Sequence, residues 1–357
     1  MDTYTPIQGC GEPINLIMVI YTCTVELCIV MESKLGIDYG YVSKLLFYLR
    51  RSISVNVYSK LSYKTIKKIN QSFSIVNIQY PYHIFRNPVL NHIFFLLLFR
   101  RIKIKKTITM HGFITKESNA LLTLVAPVYY RLLNSSKVIV FSEMQAKVLC
   151  QYRVKNVVVV PHGCNDCDYN FKKEKGVIFF HGFLRESKGI EILIKAVKKL
   201  LSEGYYISLK ILGSVYIGEE TYAYKISELL KAEIPSHYEI DIGVHTEEEI
   251  GKAAASSYVI VLPYTDKNIE VSGVLHTIMA CGTPIIASNT PRFISELTND
   301  YDARIVDPNE TEIAESIKKL ITDKEYWDML STNVRKKFEE CRWDNVAKRL
   351  IKELNEV

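Results

Sequence analysis

The sequence predicts two doubly wound α/β domains facing each other across a cleft. Three observations point there. Short runs rich in Val and Ile, apolar on both faces, alternate with segments of helical apolar spacing along nearly the whole chain. At 357 residues the chain is long for one hydrophobic core and comfortable for two. A polar, charged stretch, Asp166 to Lys175, interrupts the alternation near its middle. In such folds ligands sit at the carboxyl ends of the strands.

The elements follow in order. Residues 1–24 contain Pro6, Gly9, Gly11 and Pro13 and read as irregular, with a strand at Ile14 to Tyr21. Val25 to Met31 is a strand, Ser33 to Gly40 a loop, and Tyr41 to Arg50 a helix by its apolar spacing. Ile53 to Tyr58 alternates as a strand. A lysine-bearing helix, Tyr63 to Asn70, and a strand, Ser74 to Tyr80, come next. Pro88 opens a helix through Phe99, and Thr107 to Met110 is a strand ending at His111-Gly112. Helices at Ala120 to Leu133 and Met144 to Cys150 alternate with strands at Lys137 to Phe141 and Val157 to Val160. In the second half the strands are Gly176 to Phe180, Ile207 to Leu212, Tyr238 to Ile242, Tyr258 to Leu262, Pro284 to Ser288 and Ala303 to Val306. Between them lie helices Ile190 to Ser202, Thr221 to Ala232, Glu247 to Ser256, Gly273 to Ala280 and Glu310 to Thr322. Tyr326 to Val357 reads as two consecutive helices.

Charge is divided unevenly. Residues 1–170 carry a net +11 and residues 171–357 a net −5, and no acid occurs between Asp38 and Glu117 against 14 Lys and Arg. The first half therefore expects an anionic partner. The apolar helix ending at Phe99, followed by the Arg100 to Lys106 cluster, suits docking on an anionic membrane surface. It equally suits a core helix followed by a sheet-edge strand whose lysines face solvent. The basic residues are not interleaved with aromatics in a nucleic-acid motif, so no nucleic-acid partner is expected. The run Ile14 to Met31 is interrupted by Thr22, Thr24 and Glu26 and reads as core strands, with no cleavable signal peptide. The eight cysteines form no repeated zinc pattern, and Cys164-x-x-Cys167 stands alone. Free thiols in a reducing, cytoplasmic compartment are expected, with the protein soluble or peripheral on the inner face of the membrane.

The most informative stretch runs from Leu262 to Ser288. Pro263 ends a buried strand, Thr265 to Ser272 is a polar loop, Gly273 opens a helix and Gly282 stops it. A helix starting at the carboxyl end of a parallel strand offers unpaired N–H groups to a phosphate. Glu270, three residues earlier, is repelled by phosphate and suits the hydroxyls of an attached sugar. Phosphate and sugar together suggest a nucleotide-sugar site, while an ordinary βαβ crossover with a solvated Glu accounts for this stretch equally well.

From about Val25 to Val357 the chain resembles a family-four glycosyltransferase of the GT-B fold. The first anchor is Gly182-Phe-Leu-Arg185-Glu-Ser-Lys188-Gly189, where the resemblance implies that Arg185 and Lys188 hold the donor diphosphate. The second is Glu270, Ser272, Gly273 and Gly282-Thr-Pro284, with Val274 and Leu275 at the helix start. Here the resemblance implies that Glu270 contacts the donor sugar. The family's second Glu, which contacts the ribose, is missing, and Thr277 or Ile278 stands in its place. The third is Thr107 to Phe113, whose His111 matches the His lying over the transferred sugar. Gly243 and Val244 match the loop that flanks the base, and Gly36 to Gly40 sits at the family's glycine-rich first loop. His162, in Pro161-His-Gly163, replaces the family's Asn and reads as structural. Trp343-Asp344 resembles the start of the last helix, which returns to the first domain.

The implied domains are an acceptor-binding one at residues 1–167, a donor-binding one at 168–335 and the returning segment at 336–357. The implied activity is retaining, metal-independent transfer of a sugar from a nucleotide diphosphate to a glycan, lipid or protein acceptor. No cofactor is expected and no Asp-x-Asp pair sits at a strand end. Two other readings share the fold: a non-catalytic nucleotide-sugar-binding protein, motivated by the missing second Glu, and a GT-B epimerase or phosphorylase.

Overall fold

A computed structural model describes residues 26–31, 39–58, 61–80, 88–114, 120–169, 171–216 and 218–356. The expected strand at Ile14 to Tyr21 and residues 33–38 of the first loop lie outside them. The described residues form two parallel six-stranded sheets.

The first sheet contains β1 (Glu26–Met31), β2 (Ser54–Tyr58), β3 (Ile75–Tyr80), β4 (Lys105–Met110), β5 (Lys137–Val140) and β6 (Val157–Val159), in the order β2-β1-β3-β4-β5-β6. Right-handed crossovers then dictate where the helices lie. The connection from β1 back to β2 runs opposite to the others. Its helix α1 (Tyr39–Leu49) therefore packs on one face, and α2 (Tyr63–Ser72), α3 (Pro88–Phe99), α4 (Ala120–Leu132) and α5 (Glu143–Gln151) pack on the other.

The second sheet contains β7 (Glu174–Leu184), β8 (Ser208–Val215), β9 (Tyr238–Ile242), β10 (Ser257–Leu262), β11 (Ile285–Ser288) and β12 (Arg304–Val306), in the order β12-β11-β10-β7-β8-β9. Its helices are α6 (Ile190–Ser202), α7 (Glu220–Glu233), α8 (Glu247–Ser256), α9 (Gly273–Ile278), α10 (Pro291–Ile294), α11 (Glu310–Thr322) and α12 (Lys324–Cys341). Local signals fix their starts. Thr246 and Glu249 close a capping box on α8, and Asn309 caps α11. A last helix, α13 (Trp343–Asn355), leaves this domain and buries Trp343, Val346, Leu350 and Leu354 against β1, β5 and α1 of the first.

Several expectations need correction. The strand β7 continues past Phe180 to Leu184, because pairing with β8 runs on from Gly182–Gly213 to Leu184–Val215. The helix at Gly273 stops at Ile278 and tightens into a 3-10 turn, Met279–Cys281, before Gly282 ends it at φ 63°. The strand β4 is interior to its sheet, not an edge. Lys106 on it is buried, and its ammonium donates to the carbonyls of Phe99 and Ile102 at 3.3 and 3.0 Å. Residues 335 and 336 lie inside the unbroken helix α12, whose Phe338 and Cys341 still belong to the second core, so the chain crosses back at Arg342. Nor are the hinge cysteines free thiols: disulfides join Cys164 to Cys341 and Cys167 to Cys281. That removes the thiol argument for a reducing compartment. Pairing was not legible because each linker cysteine reaches over 100 residues along the chain.

Candidate active site

In the second sheet β7 and β10 are neighbours, and the chain leaves them in opposite directions, towards β8 and β11. A crevice opens at the carboxyl ends of such a pair. The two loops that enter it are held together at Gly189. This residue is left-handed, with φ 66°, and a Cβ there would lie 1.9 Å from the Pro263 carbonyl oxygen. Gly189→Ala should therefore lower the free energy of unfolding by about 2 kcal/mol or more. Chemical denaturation checks this; an unchanged midpoint and slope would refute the packing account.

Cations gather around that junction. The Lys188 ammonium sits 3.5 Å from the centre of the Tyr264 ring, and the Arg185 guanidinium 5.1 Å from that of Tyr216. Arg292 donates to the Val271 carbonyl and pairs with Asp266 at 3.1 Å. Burial, then the nearby Arg292 charge, lowers the Lys188 pKa to about 7; Arg185 pushes the same way, while Asp266 and Glu270 oppose. When Lys188 is charged, the three cations Lys188, Arg185 and Arg292 outnumber the two carboxylates, Asp266 and Glu270, that act on it. With anion binding favouring the charged lysine, affinity for an anionic ligand such as pyrophosphate should be highest below pH 7 and weaken as pH rises through the Lys188 pKa. A profile of pyrophosphate affinity against pH in wild type and Lys188→Arg tests this, since the guanidinium does not titrate in that range. Identical profiles would show that another group is responsible.

Glu270 is drawn into this field by its neighbours. Ile269 packs on the core beneath α3 and α4, Val271 packs on the core beneath α1 and α13, and Gln145 donates to the Ile269 carbonyl at 3.1 Å. A loop of the second domain is thereby anchored on the first, with Glu270 between its two anchors.

The start of α9 lies beside this loop. Ser272 is its N-cap, and the Ser272 hydroxyl accepts the Leu275 N–H at 3.3 Å. Leu275 is itself buried, so its N–H serves the cap, leaving those of Gly273 and Val274 for a ligand. A Cβ on Gly273 would meet nothing within 4 Å, whereas Val274 lies 3.7 Å from the Cβ position of Gly182. Thr277 donates its hydroxyl proton to the Gly273 carbonyl at 2.9 Å, leaving only lone pairs for a ribose. Six α-helical residues make a short dipole, so the cations carry most of the electrostatics. Across the crevice, the Gly243 N–H donates to the Gly213 carbonyl and its own carbonyl accepts from Ser214. Val244 beyond it is 98% exposed.

The first domain contributes His111 at the end of β4. Its Nε2 lies 2.7 Å from Gln79 Oε1, and its ring packs edge-on to Tyr41 and Phe141 at 5.1 and 5.2 Å. Tyr41 touches His162, and His162 lies 4.5 Å from His276 on α9, so a line of rings links His111 to α9. Burial, then the His276 charge, holds the His162 pKa well below its usual range and keeps the ring neutral, as a structural residue requires. His276 behaves oppositely. Burial disfavours its charge, but Glu296 at 2.9 Å and the Ser272 carbonyl outweigh that and raise its pKa.

Sequence reasoning thus placed Gly182, Arg185, Lys188, Glu270, Gly273 and Val274 around one junction. It missed Tyr264, Arg292, His276 and Gln79. A His inside a helix and a Gln inside a strand look like core; only Arg292, a cation next to a strand end, offered a signal.

Residues 166–337 match the family described as glycosyl transferases group 1. An uncharacterized glycosyltransferase of Methanocaldococcus jannaschii is 27% identical over 192 residues, 51% of this chain; the match spans 47% of the relative, about half its length. The Anabaena protein HepE in complex with UDP superimposes with a TM-score of 0.76 at 14% identity, over 94% of this chain and 100% of that one. A glycosyltransferase from Rickettsia africae gives 0.74 at 15% identity, over 94% and 98%. A sucrose-phosphate synthase from Thermosynechococcus elongatus gives 0.70 at 14%, over 93% and 98%. At these identities the structures show a shared fold, the two-domain GT-B architecture.

Proposed function

We propose that this chain, whose residues 166–337 belong to the glycosyl transferases group 1, is a retaining glycosyltransferase acting on a nucleotide-diphosphate sugar. The observation that carries the reading is the undercompensated cation pocket of Lys188, Arg185 and Arg292 at the β7–β10 crevice. A diphosphate supplies the missing negative charge. As the bond from the sugar to the diphosphate breaks, its electron pair ends on the phosphate oxygen, beside Arg185, Lys188 and the N–H groups of Gly273 and Val274. Glu270 orients the sugar through its hydroxyls, and His111 orients the sugar or the acceptor from the facing domain. These cations stand where a metal would neutralise the leaving group, so transfer persisting in EDTA is expected.

HepE was solved with UDP and with UDP and glucose, which makes UDP-sugars the first donors to try. A thermal-shift screen of UDP-, GDP-, ADP- and dTDP-sugars should give one that raises the unfolding midpoint. Turnover of that sugar, with the product anomer read by NMR, then tests transfer and retention. No stabilising nucleotide sugar would sink the reading. Binding without turnover would favour a non-catalytic binding protein, the alternative supported by Thr277, whose hydroxyl is tied to its own helix where the family has a carboxylate.

The acceptor is a glycan, protein or lipid-linked molecule, and the basic first domain favours one at an anionic membrane surface. Phe94 and Leu97 on α3 and Leu124 and Val128 on α4 are exposed, and Arg100, Arg101 and Arg131 stand at the carboxyl ends of the same helices. Among the described residues no helix is long and apolar enough to cross a membrane. Salt-sensitive sedimentation with phosphatidylglycerol vesicles, absent with phosphatidylcholine, is the expected result; no sedimentation with either removes the membrane partner.

A further inference from the structure

Four polar side chains are buried in the middle of the first sheet: Asn77 and Gln79 on β3, Thr107 and Thr109 on β4, each at most 3% exposed. They alternate with Val76, Ile78 and Ile108, which face α2 to α5, and so share the opposite face with Ile29 and Ile139. Packing alone would put Val or Ile there. Burying amides and hydroxyls is unfavourable unless every one is paired.

They are paired, and the pairing runs one way. Thr107 Oγ1 donates to the Val76 carbonyl at 3.4 Å, so it receives its contact from Asn77 Nδ2, at 2.8 Å. Asn77 Nδ2 also donates to Thr109 Oγ1 at 3.1 Å. The Asn77 oxygen then faces Gln79 Nε2 at 2.5 Å. Gln79 Oε1 in turn faces His111 Nε2 at 2.7 Å. Because an amide oxygen only accepts, the proton of that last bond resides on the histidine.

We propose that Gln79 is a positioning residue: backed by the Asn77–Thr107–Thr109 ladder, it fixes His111 as its Nε2–H tautomer, so that Nδ1 meets its partners only as an acceptor. The ring edges against Tyr41 and Phe141 hold the plane, and the ladder sets the proton. The chemical consequence is selective. At Nδ1 a histidine so fixed accepts a hydrogen bond from a hydroxyl and is mismatched to a carbonyl or phosphate oxygen. The reversed ladder would make the same contacts, with hydroxyl protons turned inward, the amides flipped and the His111 proton on Nδ1. The Thr107–Val76 bond opposes it.

The test reads the proton directly. Long-range 1H–15N correlation spectra of histidine-labelled protein, with His111 assigned by loss of its signals in His111→Gln, should show Nε2 protonated and Nδ1 not. The opposite tautomer in wild type overturns the proposal, without any Gln79 variant needing to fold. Gln79→Met should mix the tautomers, and Gln79→Glu should protonate both nitrogens at neutral pH. Unchanged His111 signals in a folded Gln79→Met also overturn it. The kinetic arm alone rests on the transferase reading: Gln79→Met should lower kcat about tenfold or more with donor KM within about twofold. If no nucleotide sugar is turned over, the spectra still decide the tautomer.

Discussion

Arg185→Ala is expected to lower kcat/KM for the nucleotide sugar by roughly 100- to 1000-fold, and Lys188→Ala by a similar factor. The reason is where the charge appears. A ground-state donor already carries its diphosphate charge, but the bond-breaking step adds negative charge on the oxygen nearest these cations, so the interaction strengthens as the barrier is climbed. Arg185 is half-buried, with Tyr216 against its guanidinium. Lys188 holds its charge reluctantly, because burial and Arg292 both oppose it. A diphosphate reverses that balance, so the positive lysine is present when it is needed. Neither side chain joins the cores, and far-ultraviolet circular dichroism and unfolding midpoint should stay at wild-type values. The double variant should fall short of the product of the single effects, since both cations act on one leaving group. Turnover within about threefold of wild type in either single variant would remove these residues from the donor site.

Most of the architecture was legible, for a definite reason. Strands such as Tyr238–Ile242 and helices such as Ile190–Ser202 and Glu247–Ser256 are fixed by local periodicity and end where Gly, Thr or Ser signals place them. The loops at the β7–β10 crevice were legible because Gly189 and Gly282 adopt left-handed backbone that local sequence announces. What stayed hidden depends on contacts between distant parts of the chain. Whether β4 lies at an edge depends on β5 pairing with it. The burial of Arg292 is set by Tyr264 and Asp266, 28 and 26 residues away. Gln79 acquires meaning only when His111, 32 residues on, comes beside it. The cysteines were misread for the same reason, and they lead to the second large effect.

Reducing both disulfides should lower the unfolding free energy by about 2–4 kcal/mol per bond and raise the donor KM. The chain passes between the domains twice, once in the linker after β6 and once at Arg342. Cys164–Cys341 ties these two passages together: the Cys164 N–H donates to the Cys341 carbonyl at 2.7 Å, and Cys164 bridges to Arg342. Cys167–Cys281 ties the same linker to the end of the turn that continues α9, and the Asn165 N–H donates to the His276 carbonyl. The loops closed span 177 and 114 residues, so each bond removes much freedom from the unfolded chain. In the folded state the two bonds hold α9 and the returning helix α13 to one short segment, which fixes how the domains face each other. A phosphine reductant supplies two electrons per bond, leaving two thiols and the phosphine oxide. Peptide mapping in denaturant should find Cys164, Cys167, Cys281 and Cys341 as four added thiols only after reduction, and the unfolding midpoint should fall. Cys164→Ser with Cys341→Ser should reproduce one bond's share of the stability loss, with Cys167–Cys281 intact. The complementary pair, Cys167→Ser with Cys281→Ser, should have the larger effect on donor KM, because it alone releases α9. If four additional thiols appear with no change in midpoint or KM, the hinge is held by its hydrogen bonds and packing, and the covalent ties are redundant.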